Sequence, residues 1–349
     1  MPLTVLSVAY PLAPVSPDAV GGAEQVLSRL DSALVEAGHR SVVVACAGSA
    51  VRGELVATPP VPAVLDDTAK AAAQAANRRA IREALEHRPV DVVHLHGIDF
   101  HAYLPPPGPP TLVTLHLPLA WYPPGALRPA RPDTHLHCVS PAQRRTAPPG
   151  LDLLPDIPNG VDVDGPAAPH AKRGFALAMG RICPEKGFHL ALDAARLAGV
   201  PLLLAGHVFP YETHAAYFRD EVAPRLDGRD YRFLGPVGLA RKRRLLAAAR
   251  CLLVPSLAEE TGSLVAMEAL ACGTPVVAFP NGALADVVEH GRTGFLVRDA
   301  REMADTIGRA GEIDPEACRE AARTRFSAAR STDLYLRTYA DLAAGRSLG

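Results

Sequence analysis

Residues 259–278 read EETGSLVAMEALACGTPVVA, a pattern that predicts a helix running between two strands of a parallel sheet. The stretch follows the apolar run 251–254, has small residues where a helix would begin, and reaches Gly273 where a helix would end. A second apolar run, 275–278, comes directly after that glycine. A strand, a helix and a further strand in this order are typical of a parallel sheet that is covered by helices.

The same alternation extends along the chain in both directions. Short apolar runs predict strands at 3–9, 41–46, 90–95, 111–115 and 135–139, with 152–156 as a weaker candidate, and then at 175–180, 200–205, 231–234, 251–254, 275–278 and 294–297. Helical patterns lie between them, at 22–37, 68–87, 187–198, 212–222, 239–249, 262–272, 283–289, 301–310, 315–329 and 331–344. The sequence therefore predicts an α/β protein with two Rossmann-like parallel sheets.

The chain has 349 residues, which favours two domains. A polar, Pro/Ala-rich stretch at 163–173 predicts a linker, and so a first domain over 1–162 and a second over 163–330. The segment 331–349 is interpreted either as an ordinary terminal helix or as one that returns to the first domain. If the two sheets face each other, the carboxyl ends of their strands meet at one cleft, where such sheets bind ligands.

Composition excludes some classes of partner and location. The formal net charge of −1 argues against a nucleic-acid partner, and the basic run 241–244 is interpreted as a solvated helix face, with docking to anionic lipid or an acidic partner as the alternative. The six scattered cysteines predict buried free thiols in a reducing compartment. With neither a signal-peptide pattern nor a long apolar run, we expect a cytoplasmic protein whose membrane contact, if any, is peripheral.

Two glutamates in the opening stretch are candidate ligand groups. Glu260 lies where the helix would begin, and Glu268 lies about two turns along the same helix face. Carboxylates so placed can each accept hydrogen bonds from vicinal hydroxyls, and the free N–H groups at 262–264 suit an anionic or hydroxylic group. The same spacing also fits two surface glutamates of an amphipathic helix.

A second candidate follows the predicted strand 175–180. Gly180 and Arg181 end that strand, and Lys186 precedes the next helix, which is the position of a phosphate-binding turn. An arginine fork and a lysine point charge suit a diphosphate, although two ordinary surface cations would look the same. The chain has only four lysines.

The first half offers weaker signals. Gly21 and Gly22 follow the first strand and begin a helix, where the backbone can approach a ligand closely. His116 ends the strand 111–115 and can donate to a sugar hydroxyl or a carbonyl. No carboxylate or cysteine set completes a site around His94 and His96, so no metal is expected.

Taken together, these stretches resemble the family 4 retaining glycosyltransferases of the GT-B fold. Four elements carry the resemblance in the family's order: PNGVD at 158–162, G-R-x4-K at 180–186, E-x7-E at 260–268, and EHGRTGFLV at 289–297. One departure is that Glu260 is followed by Thr-Gly-Ser, where the family commonly has Pro-Phe-Gly. That puts the fine geometry of the donor sugar in doubt, though not the class.

The resemblance implies a metal-independent hexosyltransferase whose nucleotide-sugar is a co-substrate, not a cofactor. The donor would be a UDP-sugar, with a GDP-sugar as the alternative, and the acceptor a small molecule, a glycan or a lipid. The implied donor-site residues are Arg181 and Lys186 for the diphosphate, Glu268 for the ribose, Glu260 with the backbone of Gly262, Ser263 and Leu264 for the sugar and phosphates, Val237 with its loop for the base, and Gly22 and His116 from the first domain. Nucleotide-sugar epimerases of the same architecture, and a degenerate sugar-nucleotide-binding protein, are the rival interpretations.

Overall fold

Each half of the chain is built around its own six-stranded parallel sheet. The computed structural model describes residues 2–164 and 171–346. One compact unit comprises the chain up to Pro158 together with the segment from Ser331 onward, and the other comprises Asn159–Arg330. The division lies four residues before the predicted boundary between 162 and 163. Of the predicted linker 163–173, residues 165–170 lie outside the described residues.

The first unit has the strand order β3-β2-β1-β4-β5-β6. Its strands are β1 (Thr4–Val8), β2 (Arg40–Cys46), β3 (Glu54–Thr58), β4 (Val92–Leu95), β5 (Thr111–Leu115) and β6 (Thr134–Cys138). Its helices are α1 (Gly22–Glu36), α2 (Asp67–His87) and the short α3 (Pro141–Arg145). All five strand pairs are parallel.

The second unit repeats the scheme, with the order β12-β11-β10-β7-β8-β9 and parallel pairing throughout. Its strands are β7 (Ala176–Arg181), β8 (Leu202–His207), β9 (Tyr231–Phe233), β10 (Cys251–Val254), β11 (Val276–Ala278) and β12 (Gly294–Leu296). Its helices are α4 (Phe188–Leu197), α5 (Glu212–Tyr217), α6 (Leu239–Ala248), α7 (Leu264–Ala271), α8 (Leu284–Val287), α9 (Ala300–Arg309) and α10 (Pro315–Arg325). The last helix, α11 (Ala328–Ala343), begins three residues before the division. The predicted α/β class with two Rossmann-like sheets is confirmed.

Several sequence predictions need correction. The stretch 152–156 is not a strand. Leu154 and Ile157 each donate one N–H hydrogen bond to a backbone carbonyl of β6, but Pro155 between them has no N–H with which to continue a ladder. The strand β3 escaped prediction because it is a half-exposed edge strand and so lacks a continuous apolar run. The predicted helix 212–222 is α5 followed by a π-helical turn over Phe218–Val222.

The break between α10 and α11 is fixed by the PNGVD segment. The buried Val161 pairs with Ser327: its N–H donates to the carbonyl of Phe326 at 2.7 Å, and its carbonyl accepts from the N–H of Ala328 at 2.9 Å. A Cβ on Gly160 would lie 2.5 Å from the carbonyl oxygen of Ser327. The glycine in this segment is therefore required by close backbone packing.

A buried chain of hydrogen bonds attaches α11 to the sheet of the first unit. Burial lowers the pKa of His137 to about 4 and that of His94 well below its usual value, so both rings are neutral. His137 Nδ1 lies 3.0 Å from the carbonyl oxygen of Cys138 and must donate to it, so His137 Nε2 accepts from the Thr114 hydroxyl at 2.6 Å.

That assignment determines the rest of the chain. The Thr114 hydroxyl donates its only proton to the hydrogen bond with His137, so its oxygen accepts from His94 Nε2 at 2.7 Å. His94 Nδ1 in turn accepts from the Tyr339 hydroxyl at 2.7 Å. The Tyr335 hydroxyl adds a longer donation to Thr114, at 3.3 Å. Two tyrosines of α11 are thus tied to β4, β5 and β6 inside a core where all five side chains are fully buried.

Candidate functional site

The strand order of the second unit reverses between β7 and β10. The chain runs from β7 outward through β8 and β9, then returns to place β10 on the other side of β7. Ligands of open parallel sheets bind outside the carboxyl ends of the strands at such a switch point. The segments that leave these two ends are the turn after Arg181 and the stretch from 255 to Leu264, which contain most of the predicted site residues.

The turn after β7 is short and closed. Arg181 is the last residue of β7, and Pro184–Lys186 form one 3-10 turn, in which the N–H groups of Lys186 and Gly187 donate to the carbonyls of Cys183 and Pro184 at 3.1 Å each. Gly187 then begins α4 in the left-handed conformation, with φ 62°. The predicted phosphate-binding turn is therefore a rigid connection between a strand and a helix.

This turn packs on the segment that follows β10. The carbonyl of Glu185 accepts hydrogen bonds from the N–H groups of Leu257 at 2.8 Å and Ala258 at 3.3 Å, and the Ser256 hydroxyl oxygen lies 3.3 Å from the same carbonyl oxygen. These contacts bring Lys186 against Glu260, although the two are 74 positions apart in sequence.

We expect Gly187→Ala to destabilise the second unit by about 2–4 kcal/mol. An alanine there would need the left-handed conformation and would place its Cβ 2.3 Å from the carbonyl oxygen of Pro255, so strain and overpacking add. Gly199→Ala is the matched control, because Gly199 has φ 64° but no atom within 4 Å of the added Cβ, and should cost only about 1 kcal/mol. Urea unfolding of both variants checks this, and equal losses would contradict the packing argument.

Glu260 is held by two donors on the same oxygen. Lys186 Nζ lies 2.5 Å and Ser256 Oγ 2.6 Å from Glu260 Oε1, while the side chain is only 10% exposed. Burial acts to raise the pKa of this carboxyl, but the Lys186 ammonium, the Ser256 hydroxyl and the nearby Arg181 outweigh it and hold the pKa below its usual value. Glu260 is therefore ionised at neutral pH, and within the described residues its Oε2 accepts no hydrogen bond.

The backbone of Glu260 is fixed from the other side. It forms an isolated parallel bridge with Gly282, and its carbonyl accepts the N–H of Ala283 at 2.7 Å. A Cβ on Gly282 would lie 2.4 Å from that carbonyl oxygen, and φ there is 61°. The Asn281 amide also donates to the carbonyl of Ser256, at 2.7 Å. The carboxylate therefore projects from a segment clamped on both flanks.

The helix α7 begins at Leu264, two residues later than the predicted start at 262. Gly262 and Ser263 are buried in the turn before it, and Ser263 makes no side-chain cap to the helix. The first N–H groups of a helix have no acceptor within the helix. The structure therefore places Gly262, Ser263 and Leu264 directly after Glu260, at a helix start that a ligand can satisfy.

Glu268 repeats the arrangement of Glu260. Lys242 of α6 places its Nζ 2.6 Å from Glu268 Oε1, and the two side chains are only 12% and 15% exposed. Within the described residues Glu268 Oε2 accepts no hydrogen bond. Each of the two glutamates is thus held by one lysine through Oε1, and each has its second oxygen available to a ligand hydroxyl.

Lys242 was missed by the sequence interpretation. The run 241–244 is a solvated face only at Arg241 and Arg244, which are exposed; Lys242 points inward to Glu268, and Arg243 pairs with Asp162 at 2.5 Å. The available signal was the rarity of lysine, because two of the four lysines in the chain each hold one of the two candidate glutamates. No sequence motif marked Ser256 as a partner of Glu260.

Two predicted residues of the second unit take no part in these ion pairs. The Arg181 guanidinium makes no hydrogen bond or ion pair within the described residues, and so remains available to an anion. Val237 is half-buried in the loop after β9, where Gly235, with φ 67°, accepts the Gly206 N–H at 3.0 Å. The described hydrogen bonds do not connect Val237 with either glutamate.

Two further predicted residues belong to the first unit, whose strand order reverses between β1 and β4. Gly22 is exposed at the first turn of α1, and the Glu24 side chain folds back over the neighbouring Gly21. His116 follows β5; its ring stacks on His96, with centroids 5.3 Å apart, and its Nε2 lies 3.0 Å from His96 Nδ1. Burial lowers the pKa of His116 to about 3, so the ring is neutral at physiological pH.

All six cysteines are free and buried, as the sequence predicts. In the two described ranges, no helix combines the length and the apolar composition that crossing a bilayer requires.

Two family models match consecutive parts of the chain. Residues 20–164 match the model described as Glycosyltransferase Family 4, and residues 174–312 match the model described as Glycosyl transferases group 1. These ranges fall on the two structural units.

Among curated proteins, the chain is 33% identical over 248 residues to D-inositol 3-phosphate glycosyltransferase 2 of Catenulispora acidiphila, covering 64% of this chain and 53% of that protein. It is 36% identical over 168 residues to the D-inositol 3-phosphate glycosyltransferase of Mycolicibacterium smegmatis, covering 46% of this chain and 38% of that protein. The chain thus spans about half the length, or less, of these relatives.

Among solved structures, AviGT4, a glycosyltransferase involved in avilamycin A biosynthesis, is 27% identical, with full coverage of both chains and a TM-score of 0.70. The structure of Alr3699/HepE of Anabaena in complex with UDP and glucose is 20% identical, with a TM-score of 0.73 and coverage of 97% of this chain and 99% of that one. The second likeness concerns the fold alone.

Proposed function

Because this chain belongs to the family 4 glycosyltransferases of the GT-B fold, we propose that it transfers a sugar from a UDP-sugar to a hydroxyl group of an acceptor, with retention of anomeric configuration and without a metal ion. The observation that carries the proposal is the arrangement at the switch point of the second unit. An unpaired arginine, a lysine–glutamate pair, and a helix start lie on the two segments that leave β7 and β10.

The cations of this site suit a diphosphate. Arg181 has its guanidinium free of protein partners, and Lys186 uses one of three ammonium protons on Glu260, so both can donate to phosphate oxygens. The backbone N–H groups at Gly262, Ser263 and Leu264 add neutral donors at the helix start. Charged and neutral donors supplied by the protein can together stabilise a nucleoside diphosphate, which supports metal-independent transfer.

The two glutamates suit the hydroxyl groups of the donor. Glu268 Oε2 would accept from the ribose hydroxyls and Glu260 Oε2 from hydroxyls of the transferred sugar, while the paired lysines hold each carboxylate in place. UDP is the nucleotide we favour over GDP, since HepE, which shares the fold, binds UDP and UDP-glucose. The base would lie near Val237, by resemblance to the family.

Transfer follows a same-face course in this proposal. The bond from the anomeric carbon to the β-phosphate oxygen breaks, the bond to the acceptor oxygen forms on the same face, and the acceptor proton passes to an oxygen of the leaving diphosphate. Arg181 and Lys186 stabilise the negative charge that develops on that diphosphate. Gly22 and His116 take part in donor binding by family resemblance, and the neutral His116 ring can donate to or accept from a sugar hydroxyl without carrying charge.

A thermal-shift comparison of UDP, GDP, dTDP and ADP, without added metal, tests this proposal. At 100 times its dissociation constant a ligand should add about 2.7 kcal/mol to the stability of the unit that binds it. We expect a shift with UDP that persists in EDTA and is lost in Arg181→Ala. Folded protein that responds to none of the four nucleotides would refute the proposed donor site.

A further inference from the structure

Three side chains of types that bind metals converge at the turn that follows β7 in the second unit. Cys183, Glu185 and His214 each offer one ligand atom, a sulfur, a carboxylate oxygen and an imidazole nitrogen, and these atoms lie within 4.8 Å of one another. Cys183 and Glu185 belong to the turn between β7 and α4, and His214 belongs to α5. Within the described residues this is the one group of three or more such side chains that could hold an ion.

The histidine of this group has an unsatisfied nitrogen. His214 is about nine-tenths buried, and its Nδ1 is fully enclosed with no hydrogen-bond partner in the described parts of the chain. A buried polar atom without a partner costs free energy, so its presence calls for a ligand. The ring is held by edge-on contacts with Tyr211 and Phe209, at centroid distances of 5.1 and 6.5 Å, which limit its rotation.

The cysteine thiol makes one weak hydrogen bond to the backbone and interacts with Glu185. Cys183 is buried, and its Sγ contacts the carbonyl oxygen of Arg181 at 3.5 Å, a weak hydrogen bond. Burial raises the pKa of this thiol to about 11, so it is protonated in the ion-free protein at neutral pH. Glu185 is only partly buried and leaves an approach from solvent.

We propose that Cys183, Glu185 and His214 bind a zinc-type divalent cation, with water in the fourth position. The donor set selects for this class, since thiolate and imidazole favour zinc over the oxygen-seeking magnesium and calcium. Ligand atoms around tetrahedral zinc lie about 3.5 Å apart, so small side-chain rotations close the site. A thiolate and a carboxylate together balance the charge of the ion.

The proposed ion links the turn that carries Arg181 and Lys186 to α5. It would thereby restrain this turn in addition to its contacts with Leu257 and Ala258. The metal site does not depend on the sugar transfer proposed above, and transfer does not require the ion.

Titration of the purified protein with Co²⁺ tests the site through the near-ultraviolet absorption of a thiolate–cobalt bond. We expect one equivalent to bind, Zn²⁺ to displace it, and excess Mg²⁺ to leave it in place. Cys183→Ala should abolish the band, and His214→Gln should weaken binding more than about 100-fold, since a ligand is lost. Cys46→Ala, which removes a buried thiol from the other unit, should bind as the wild type does.

Folding of the variants is checked by their melting temperatures without metal, and Cys183→Ser provides a second, near-isosteric replacement. Absence of the band in the wild type, or an equal band in Cys183→Ala and Cys183→Ser, would overturn the proposal. A UDP response in the thermal-shift assay together with no cobalt band would refute the metal site alone. A cobalt band with no nucleotide response would refute the donor site alone.

Discussion

Lys186→Ala should lower the rate of sugar transfer by about 100- to 1,000-fold and weaken UDP binding as well, because one side chain both contacts the diphosphate and holds Glu260. Its removal leaves a carboxylate that is only 10% exposed with the Ser256 hydroxyl as its one remaining side-chain hydrogen-bond donor. Initial rates and nucleotide titrations of the purified variant measure the two effects. Transfer at the wild-type rate would show that Lys186 does not hold the phosphate.

Two control variants separate the chemical role of Lys186 from a structural one. Lys70→Ala removes an exposed lysine of the first unit and should leave rate and affinity unchanged. The double variant Lys186→Met with Glu260→Gln removes both charges, so the stability lost in Lys186→Ala should return in large part. If Lys186 acts on the diphosphate, the double variant folds well but binds UDP more weakly than the single variant Glu260→Gln, which keeps the lysine. Equal UDP affinity of these two variants would mean that the lysine serves only to neutralise Glu260.

The sequence predicts that Glu260 and Lys186 lie close together, but not how they contact each other. The local patterns placed each between a strand and the following helix, and parallel-sheet topology places these connections at one edge, so their proximity follows from the fold class. That Glu260 uses Oε1 for both Lys186 and Ser256 depends on the packing of the turn at Glu185 against Leu257, which no local pattern encodes.

Lys242 shows a different limit of sequence reasoning. A run of four cations on one helix indicates a solvated face, because each charge is stable in water by itself. Whether one of them turns inward depends on an acidic partner on a neighbouring helix, here Glu268 on α7. In the chain, α6 and α7 are separated by the strand β10, so no local pattern indicates that they pack together. The helix bounds of α6 were predicted to within one residue, while the direction of its lysine was not.

The histidines of the first unit have partners that lie far away in the chain. His94 and His96 end a predicted strand, and the sequence offers no carboxylate or cysteine set that would complete a metal site with them. In the structure both ring nitrogens of His94 are used by Thr114 and Tyr339, the latter more than 200 positions away in the chain. The partner on α11 could not be inferred from the strand, because the amphipathic pattern of 331–344 left two locations for that helix open.

Thr114→Val should reduce the free energy of unfolding of the first unit by about 2–5 kcal/mol, although the two side chains have nearly the same shape. The change removes one hydroxyl that donates to His137 and accepts from His94 and Tyr335, so a buried acceptor and two buried donors lose their partner at about 1–3 kcal/mol each, in part relieved by local rearrangement. Trp121, the only tryptophan, lies in the first unit and reports its urea unfolding by fluorescence.

Thr114→Ser keeps the hydroxyl and should lose only about 1 kcal/mol, for the buried methyl group. If valine and serine had equal effects, the hydrogen-bond chain would not be what holds α11 in place, and the helix would be retained by the apolar contacts of its tyrosine rings instead.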